Sequence, residues 1–319
     1  MSMKFINLYK SRKPVPQTVN GYYVKFEGPN IEKKSDRRAF LQSIVNTLNR
    51  MGYDSLVAPA DLFDNFDIVL LNVTEKEVSK IISRYSKLGA RSIKAKISRK
   101  DIFERAWQNR IRTELKRRGF LKIGNRYILE KDVLNKNNIF KRSYRIQAII
   151  LNNFPSLLID PRTKIMIPIR KDQIDLAESL GEESKVIVRV LPHWQRGILI
   201  GRAGKKAKDM EFPLGNKTCK TPEYWRIKHD IHFVNMEEDL LNVYVPSYEK
   251  TLPYPQSCVF SDFKTRPSLP ENLKKTPQER VTESKEFIKK YLDSVTFLGQ
   301  EIVLRGPVTL TSIGYHEHN

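Results

Sequence analysis

The residues best suited to chemistry in this sequence form a dense group of arginines and lysines. Residues 87–126 contain 14 basic and 3 acidic side chains, a local surplus of +11. Basic side chains at this density bind the phosphates of a nucleic acid backbone, which they hold without reading base sequence. The alternative interpretation is a solvated helix face whose basic side chains cover apolar surface with their stems. Because so few acids are interleaved, the run favours a phosphate-binding surface.

Periodicity places the first part of this run on a helix. The apolar residues recur every four positions and predict one buried stripe, made of Phe103, Trp107, Ile111 and Leu115. At about 100° per residue, Arg105, Arg112 and Lys116 lie within about 40° of each other on another face. Trp107 belongs to the apolar stripe, so we expect it in the core and not in a base stack. Gly119 interrupts the helix, and the basic residues continue beyond it.

Two sets of basic residues are predicted to contact a nucleic acid backbone. The primary set lies on the predicted helix and directly after it: Arg105, Arg110, Arg112, Lys116, Arg117, Arg118, Lys122 and Arg126. The secondary set lies further along the chain: Arg142, Arg145, Arg202, Lys205 and Lys206. Contacts of this kind would position a strand and would not specify its sequence.

A glycine-containing motif spans residues 201–206, with the sequence GRAGKK. It lacks the G-x-x-x-x-G-K-[ST] spacing of a phosphate-binding loop, which argues against a nucleoside triphosphatase. It does match the G-x-x-G loop with which KH domains clamp four nucleotides. Pro213, however, stops any following helix after about two turns, where the KH fold needs a longer one. A basic hairpin turn is the favoured interpretation, and a stand-alone RNA-binding protein with a KH-like loop is the alternative.

Four residues have side chains that could bind zinc, namely Cys219, His229, His232 and Cys258. Their spacing is loose, and two histidines three residues apart on a strand would point to opposite faces of the sheet. We therefore predict no metal ion and no cofactor.

A second metal pattern involves Asp101, Glu114 and Lys116, which match the D…E-x-K pattern of metal-dependent nucleases. On a helix, Glu114 and Lys116 point about 200° apart, so they would not converge on a metal ion. No Ser/His/Asp arrangement, dinucleotide-binding glycine loop or spaced carboxylate pair stands out. We assign no catalytic residue and expect the chain not to be an enzyme.

The elements around these residues predict an α+β fold. Residues 22–97 alternate between strand and helix patterns in the order βαββαβ, which is the ferredoxin-like arrangement. RNA-recognition modules share this order, but their aromatic signature is missing from the sequence. Residues 144–251 contain short strand patterns separated by Pro, Asn-Asn and Gly. The prolines of residues 252–277 are too numerous for a sheet interior and predict an extended tract lying over another surface.

Four segments follow from these patterns. They are a ferredoxin-like unit at 1–98, a basic helical connector at 99–143, a β-rich domain at 144–251 and a Pro-rich segment at 252–319.

The overall charge bears on the class of partner. The chain of 319 residues has a net charge of +21, of which +17 lies in residues 1–143. Such a surplus favours nucleic acid first and an anionic membrane face second. A membrane-surface helix would keep its apolar face free for lipid, whereas the stripe of the basic helix is expected to be buried. No run approaches the ~20 apolar residues of a membrane span, and two cysteines are too few for a disulfide framework, so we expect a cytoplasmic protein.

Two stretches carry a resemblance to a known family. Residues 141–170, KRSYRIQAIILNNFPSLLIDPRTKIMIPIR, resemble the part of Argonaute proteins where a basic-aromatic entry leads to a strand, a turn and a return strand. Residues 252–260, LPYPQSCVF, resemble the proline-bearing second linker of Argonautes. The arrangement is similar to the APAZ family, the partner of short prokaryotic Argonautes, over residues 100–319. No TIR, Sir2-like or nuclease effector domain accompanies it.

The resemblance implies a β-rich domain like the Argonaute N and linker regions, in a non-catalytic subunit of a heterodimer. The short Argonaute, with MID and PIWI domains, would hold the ends of a guide RNA or DNA, and this chain would complete the channel for guide and target. The family also implies a role in prokaryotic antiviral defence. A separate effector protein, which could be membrane-bound, would then act downstream.

Overall fold

The computed structural model describes residues 7–28, 34–63, 65–135, 139–214, 217–229, 231–262, 270 and 273–307. They form a mixed α+β structure with large antiparallel sheets, which confirms the predicted fold class. The chain divides into two units. Unit 1 comprises Met1–Arg118, Ile146–Asp160 and Pro277–Asn319, and unit 2 comprises Gly119–Arg145 and Pro161–Thr276.

The described residues form helices interspersed with single strands and with runs of consecutive strands. The helices are α1 (Lys34–Arg50), α2 (Glu75–Arg84), α3 (Lys100–Arg117), α4 (Glu130–Leu134), α5 (Lys171–Leu180), α6 (Thr221–Tyr224) and α7 (Pro277–Tyr291). The strands up to residue 168 are β1 (Leu8–Ser11), β2 (Val19–Phe26), β3 (Asp54–Val57), β4 (Ile68–Leu71), β5 (Ala90–Ile97), β6 (Phe120–Ile123), β7 (Arg126–Leu129), β8 (Phe140–Leu151), β9 (Phe154–Ile165) and β10 (Ile167–Pro168). The later strands are β11 (Ile187–Val190), β12 (Gln195–Lys206), β13 (Glu211–Leu214), β14 (Lys217–Lys220), β15 (Asp239–Val245), β16 (Lys250–Pro255), β17 (Val259–Ser261), β18 (Ser294–Phe297) and β19 (Gln300–Arg305).

The first sheet of unit 1 has four antiparallel strands in the order β3-β4-β2-β5. Helices α1 and α2 connect its strands, so the elements from β2 to β5 follow the order βαββαβ. Local signals explain the boundaries. The Thr74 hydroxyl accepts a hydrogen bond from the Glu77 N–H, and the Glu77 carboxylate accepts one from the Thr74 N–H, which caps α2. Gly89 then adopts φ 59° in the left-handed region and lets the chain turn into β5.

A second group of strands in unit 1 is antiparallel and includes β18, β19, β1 and β9 in that order. The Tyr9 hydroxyl of β1 lies 2.6 Å from the Ser284 hydroxyl of α7, and both side chains are buried. Strands β8 and β9 are joined at Asn152 and Asn153, which both have positive φ, as a tight hairpin turn requires. The Asn-Asn signal in the sequence therefore marks a real turn.

The main sheet of unit 2 has the order β10-β17-β11-β12-β15-β16, and all five pairs of neighbouring strands are antiparallel. Its core contains apolar residues from every central strand, together with Ile174 and Ala177 of α5 and Trp225. Position 197 in β12 requires a glycine, because an added Cβ would lie 2.4 Å from a methyl group of Val243 in the neighbouring strand β15.

The segment predicted as a basic helical connector, residues 99–143, is interrupted by strands and is not helical throughout. Helix α3 ends at Arg117, and the chain then forms the hairpin β6–β7 and the short helix α4. Gly124 in the hairpin turn has φ 62°, which supplies the left-handed conformation that such turns need. The sequence does not indicate this hairpin, because its strands have four residues each, too few to show a period-two pattern.

The proline-rich tract also differs from the prediction. Its beginning forms β16, which pairs with β15 at the edge of the unit 2 sheet. An edge strand makes a hydrogen-bond ladder on one side only, so it tolerates residues that have no N–H. Residues 263–269 and 271–272 of the same tract lie outside the described residues.

A buried ion pair fixes the position of α3 in unit 1. The Arg110 guanidinium donates from Nε and Nη2 to Asp54 Oδ1 at 2.9 and 2.7 Å. Nη2 also donates to the Gly52 carbonyl at 2.6 Å, and the other carboxylate oxygen, Oδ2, accepts from the Leu298 N–H at 2.6 Å. The two residues are 3% and 5% exposed. Burial raises the pKa of Asp54, and the charge of Arg110 opposes that shift.

Replacing Arg110 by Ala should lower the free energy of unfolding by about 3–5 kcal/mol, because it leaves Asp54 buried without its partner. Chemical denaturation monitored by circular dichroism measures the change. The matched control is Arg105→Ala, which removes the same charge from an exposed position on the same helix and should change stability by less than about 0.5 kcal/mol. Equal losses for the two variants would contradict the role given to the ion pair.

Candidate nucleic-acid interface

Helix α3 has one buried side and one side that carries basic residues. The predicted apolar stripe is confirmed, since its four members are all buried: Phe103, Trp107, Ile111 and Leu115. The indole N–H of Trp107 donates to the Ser156 carbonyl at 3.1 Å, and its ring lies 5.1 Å from the ring of Phe297. Trp107 is therefore a core residue, as predicted. Because the apolar stripe is anchored in this way, the rotation of α3 about its axis is fixed.

The exposed side of α3 carries Arg105, Arg112 and Lys116. Arg105 is exposed, and Arg112 and Lys116 are partly exposed. The Nε of Arg112 is buried and has no hydrogen-bond partner among the described residues. Asp101, one helical turn before Arg105 on the same side, forms an ion pair with Arg99 at 2.9 Å, and Glu114, on the other side of the helix, forms one with Arg117 at 2.8 Å. We call Arg105, Arg112 and Lys116 the α3 basic stripe.

Arg110 belongs to the interior. Its guanidinium is held by Asp54 and the Gly52 carbonyl, as described above, and only 3% of the residue is exposed. This placement corrects the expectation that Arg110 contacts a nucleic acid backbone. The sequence around Arg110 does not distinguish it from the neighbouring arginines, because its partner Asp54 lies 56 residues away.

The end of α3 contributes two more predicted residues. Arg117 donates to the Glu114 carboxylate and to the Arg50 carbonyl, so its guanidinium is held against unit 1. Arg118 follows the helix directly and is exposed. At about 100° per residue, Arg117 and Arg118 both point away from the α3 basic stripe, so neither residue extends it.

The predicted residues of β6, β7 and β8 belong to unit 2 and divide between two faces. Tyr127 pairs with both Lys122 and Tyr144, so Lys122 and Arg142 share one face of these strands. Residues offset by one position, Arg126 and Arg145, belong to the opposite face. The Arg126 guanidinium donates to the Ser143 hydroxyl at 3.1 Å. These four residues consequently do not form one continuous surface.

The motif GRAGKK at 201–206 lies within strand β12, so neither the KH-like loop nor the hairpin turn expected from the sequence forms. Register shifts interrupt the pairing of β12 with β15 on both sides of Arg202. Gly201 and Gly204 have φ 148° and 68°, conformations that other residues rarely adopt, so these glycines allow the irregular pairing of β12 with β15. Arg202 pairs with Asp175 and Glu178 of α5, and Lys206 pairs with Asp239 at 2.6 Å. Lys205 is exposed.

A pocket that the sequence analysis did not predict lies in unit 1, beside the N-terminal half of the α3 basic stripe. It has a volume of about 220 Å³ and is lined by α1, α3 and the end of β3. Its polar side chains come from the two helices: Arg38, Gln42, Arg105, Gln108 and Asn109. The spacing of four residues on α1, and of three and four on α3, puts the side chains of each helix on one face, but the sequence does not show that the two faces meet.

Electrostatics near the pocket favour an anion. Asp61 is bound by Arg99, whose guanidinium donates to both of its oxygens. These hydrogen bonds, with a further contribution from the charge of Arg105, lower the pKa of Asp61. Arg99 also pairs with Asp101 at 2.9 Å, so these three side chains together have a charge of −1. The pocket lining itself contains the two positive charges of Arg38 and Arg105 and no acidic side chain.

The residues considered as metal ligands do not form a metal-binding group among the described residues. Among the described residues, no group of three or more His, Cys, Asp or Glu side chains is placed to hold a metal ion. His229 packs against the Trp225 ring at 4.9 Å, and burial lowers its pKa to about 4. Asp101 and Glu114 stand near opposite ends of α3, and each contacts an arginine. The described helices include none with the length and apolar character needed to cross a bilayer.

Replacing the three residues of the α3 basic stripe by Gln should weaken binding of a single-stranded oligonucleotide. Each lost phosphate contact removes about 0.7 from the slope of log K against log salt, so the triple variant should flatten it by about 2. The control replaces Lys285, Lys289 and Lys290 of α7 by Gln, which removes the same charge from exposed positions of unit 1. Fluorescence anisotropy across a salt series measures both. An unchanged slope in the stripe variant would identify the stripe as an ordinary solvated helix face.

Comparisons with known proteins give a likeness at the level of fold. No family model matches the chain, and no curated protein matches its sequence. Drosophila Piwi matches with a TM-score of 0.50 and 16% identity, over 92% of this chain and 40% of Piwi. An Argonaute of Marinitoga piezophila, solved with guide RNA and target DNA, gives 0.46 and 14% identity over 93% of this chain and 40% of its own. An Argonaute of Clostridium butyricum, bound to guide and target DNA, gives 0.43 and 13% over 90% and 40%.

The chain thus spans about 40% of the length of these solved proteins. At such identities the likeness concerns the fold alone, and of these three structures Piwi has the highest TM-score. Nearly all of this chain has a counterpart in part of the Piwi structure, so its fold is Argonaute-like.

Proposed function

We propose that this chain is a non-catalytic subunit that binds guide and target nucleic acids together with a short Argonaute. The observation that carries the proposal is the α3 basic stripe, a set of cations on a helix whose opposite side is locked into the core. The Argonaute-like fold supports the proposal by supplying a scaffold of the kind found in Piwi. The resemblance of residues 141–170 and 252–260 to Argonaute linker regions supports it independently.

The fixed rotation of α3 matters for affinity. Trp107 and Arg110 both make hydrogen bonds in the interior of unit 1, so the helix needs no reordering when a ligand arrives. Positioned cations lose less conformational entropy on binding than mobile ones, and they therefore bind phosphates more tightly. Contacts to phosphates would hold a guide or target strand without selecting its sequence, as a protein loaded with many different guides requires.

The partner and the setting follow from the APAZ resemblance. A short Argonaute would bind the ends of the guide, and this chain would complete the channel for guide and target in a prokaryotic defence system. A separate effector, which could be membrane-bound, would act downstream of a cytoplasmic complex. The antiparallel order β3-β4-β2-β5 supports the ferredoxin-like assignment of the first sheet within this scheme.

Co-expression with a short Argonaute consisting of MID and PIWI domains tests the proposal. We expect a complex of the two chains that carries nucleic acid, measured by size-exclusion chromatography with light scattering and by sequencing of the bound strands. The stripe variant should keep the protein partner and lose most of the nucleic acid. A chain that purifies alone beside an equally expressed short Argonaute would contradict the proposal. Divalent-ion-dependent cleavage of RNA or DNA by the purified chain would contradict its non-catalytic part.

The alternative of a stand-alone RNA-binding protein makes a different prediction. Replacing Arg202 and Lys205 by Gln should leave oligonucleotide affinity within about twofold, because the motif lies in a strand and Arg202 is already paired with acids. A G-x-x-G reader would lose most of its binding. Affinity measured by anisotropy at one fixed salt concentration separates the two, and replacing Lys285 and Lys289 of α7 by Gln, which also removes two charges, controls for net charge.

A further inference from the structure

The pocket beside α3 has the composition of a ligand site. Its volume of about 220 Å³ is below the ~300 Å³ at which drug-sized sites begin, so it suits one small polar unit. Leu56 and Val57 of β3 and Ala58, the residue after the strand, form an apolar wall. Two guanidinium groups and three carboxamide groups from α1 and α3 complete the lining. A pocket with this lining can accommodate a flat ring and an attached anion.

The two arginines are held differently. The Arg38 guanidinium carbon lies 4.5 Å from the centroid of the Phe63 ring, a stacked position that restricts its movement. Arg105 is exposed and can turn toward an arriving anion. A planar guanidinium binds a phosphate through two parallel hydrogen bonds, which makes the pair a suitable phosphate holder.

The three carboxamides are oriented by the protein. The Asn109 side chain donates to the Ser55 carbonyl at 3.1 Å, and that of Gln108 donates to the Ala148 carbonyl at 3.3 Å. The Gln42 amide donates to the Asn46 side chain at 3.1 Å. Each carboxamide has a second N–H and a carbonyl oxygen beyond the one hydrogen bond described. An array of oriented donors and acceptors matches the edge of a nucleobase, which presents both.

We propose that this pocket binds a single unstacked nucleotide, with its phosphate on Arg38 and Arg105 and its base edge against Gln42, Gln108 and Asn109. The inference rests on the proposed function for its in-strand form, in which the nucleotide is part of a guide or target strand. The same chemistry would also accept a free nucleoside monophosphate. Arg112 and Lys116 follow on the same side of α3, where they can take the phosphates of neighbouring nucleotides.

Isothermal titration of the full chain with AMP, CMP, GMP, UMP and inorganic phosphate tests the pocket without any strand. At least one monophosphate should bind about tenfold more tightly than inorganic phosphate, because only the nucleotide offers a base edge. Gln108→Leu should remove that preference and Arg38→Gln should weaken every monophosphate about tenfold, while Lys285→Gln should change neither. Equal affinity for phosphate and all monophosphates, or no binding of any monophosphate, overturns the proposal.

A second arm uses an oligonucleotide that contains one 2-aminopurine, whose fluorescence rises when it leaves the base stack. The rise should occur with the wild-type chain and be lost in Gln108→Leu. If monophosphates bind the pocket while oligonucleotides do not bind the chain, the pocket stands and the proposed function fails. If oligonucleotides bind with their full salt dependence but neither monophosphates nor 2-aminopurine respond, the pocket proposal fails and the proposed function stands.

Discussion

The buried ion pair between Asp54 and Arg110 is the constraint on which the rest of unit 1 depends. It connects the start of β3, the turn after α1, the middle of α3 and the turn between β18 and β19, across as many as 244 residues of sequence. Removing two charges from water is costly, and the cost is recovered only when the hydrogen-bonding positions are filled. The pair therefore tolerates few alternative arrangements of these four segments, and it selects one rotation of α3.

The selected rotation determines which cations can act at the surface. One arginine of the helix points inward, the apolar stripe beside it fills the core, and the stripe of three basic residues is left outside. The same rotation brings Gln108 and Asn109 next to Arg38 and Gln42 of α1, which creates the pocket. The ion pair thus fixes the orientation of α3, and the candidate ligand site is a consequence of that orientation.

The sequence alone supports the periodic features and fails on those that depend on distant partners. The four-residue period of Phe103, Trp107, Ile111 and Leu115 predicts a buried stripe, and the structure confirms it, because a helix presents such residues on one side whatever surrounds it. Nothing local distinguishes Arg110 from Arg112, since its carboxylate partner lies in a different strand. The irregular strand β12 is similarly hidden, because glycines in a basic run look like a loop until their neighbours in β15 are known. The pocket needed the relative placement of two helices, which periodicity on each helix does not supply.

The edge strand β16 has a consequence for assembly. Pro253 and Pro255 are paired with Asn242 and Leu240 of β15, so their nitrogens, which carry no hydrogen, belong on the outward side of the strand. That side consequently lacks two of the donors that an incoming strand would need. This edge of the unit 2 sheet is in this way less prone to edge-to-edge aggregation. A partner that added a strand here would form an incomplete hydrogen-bond ladder.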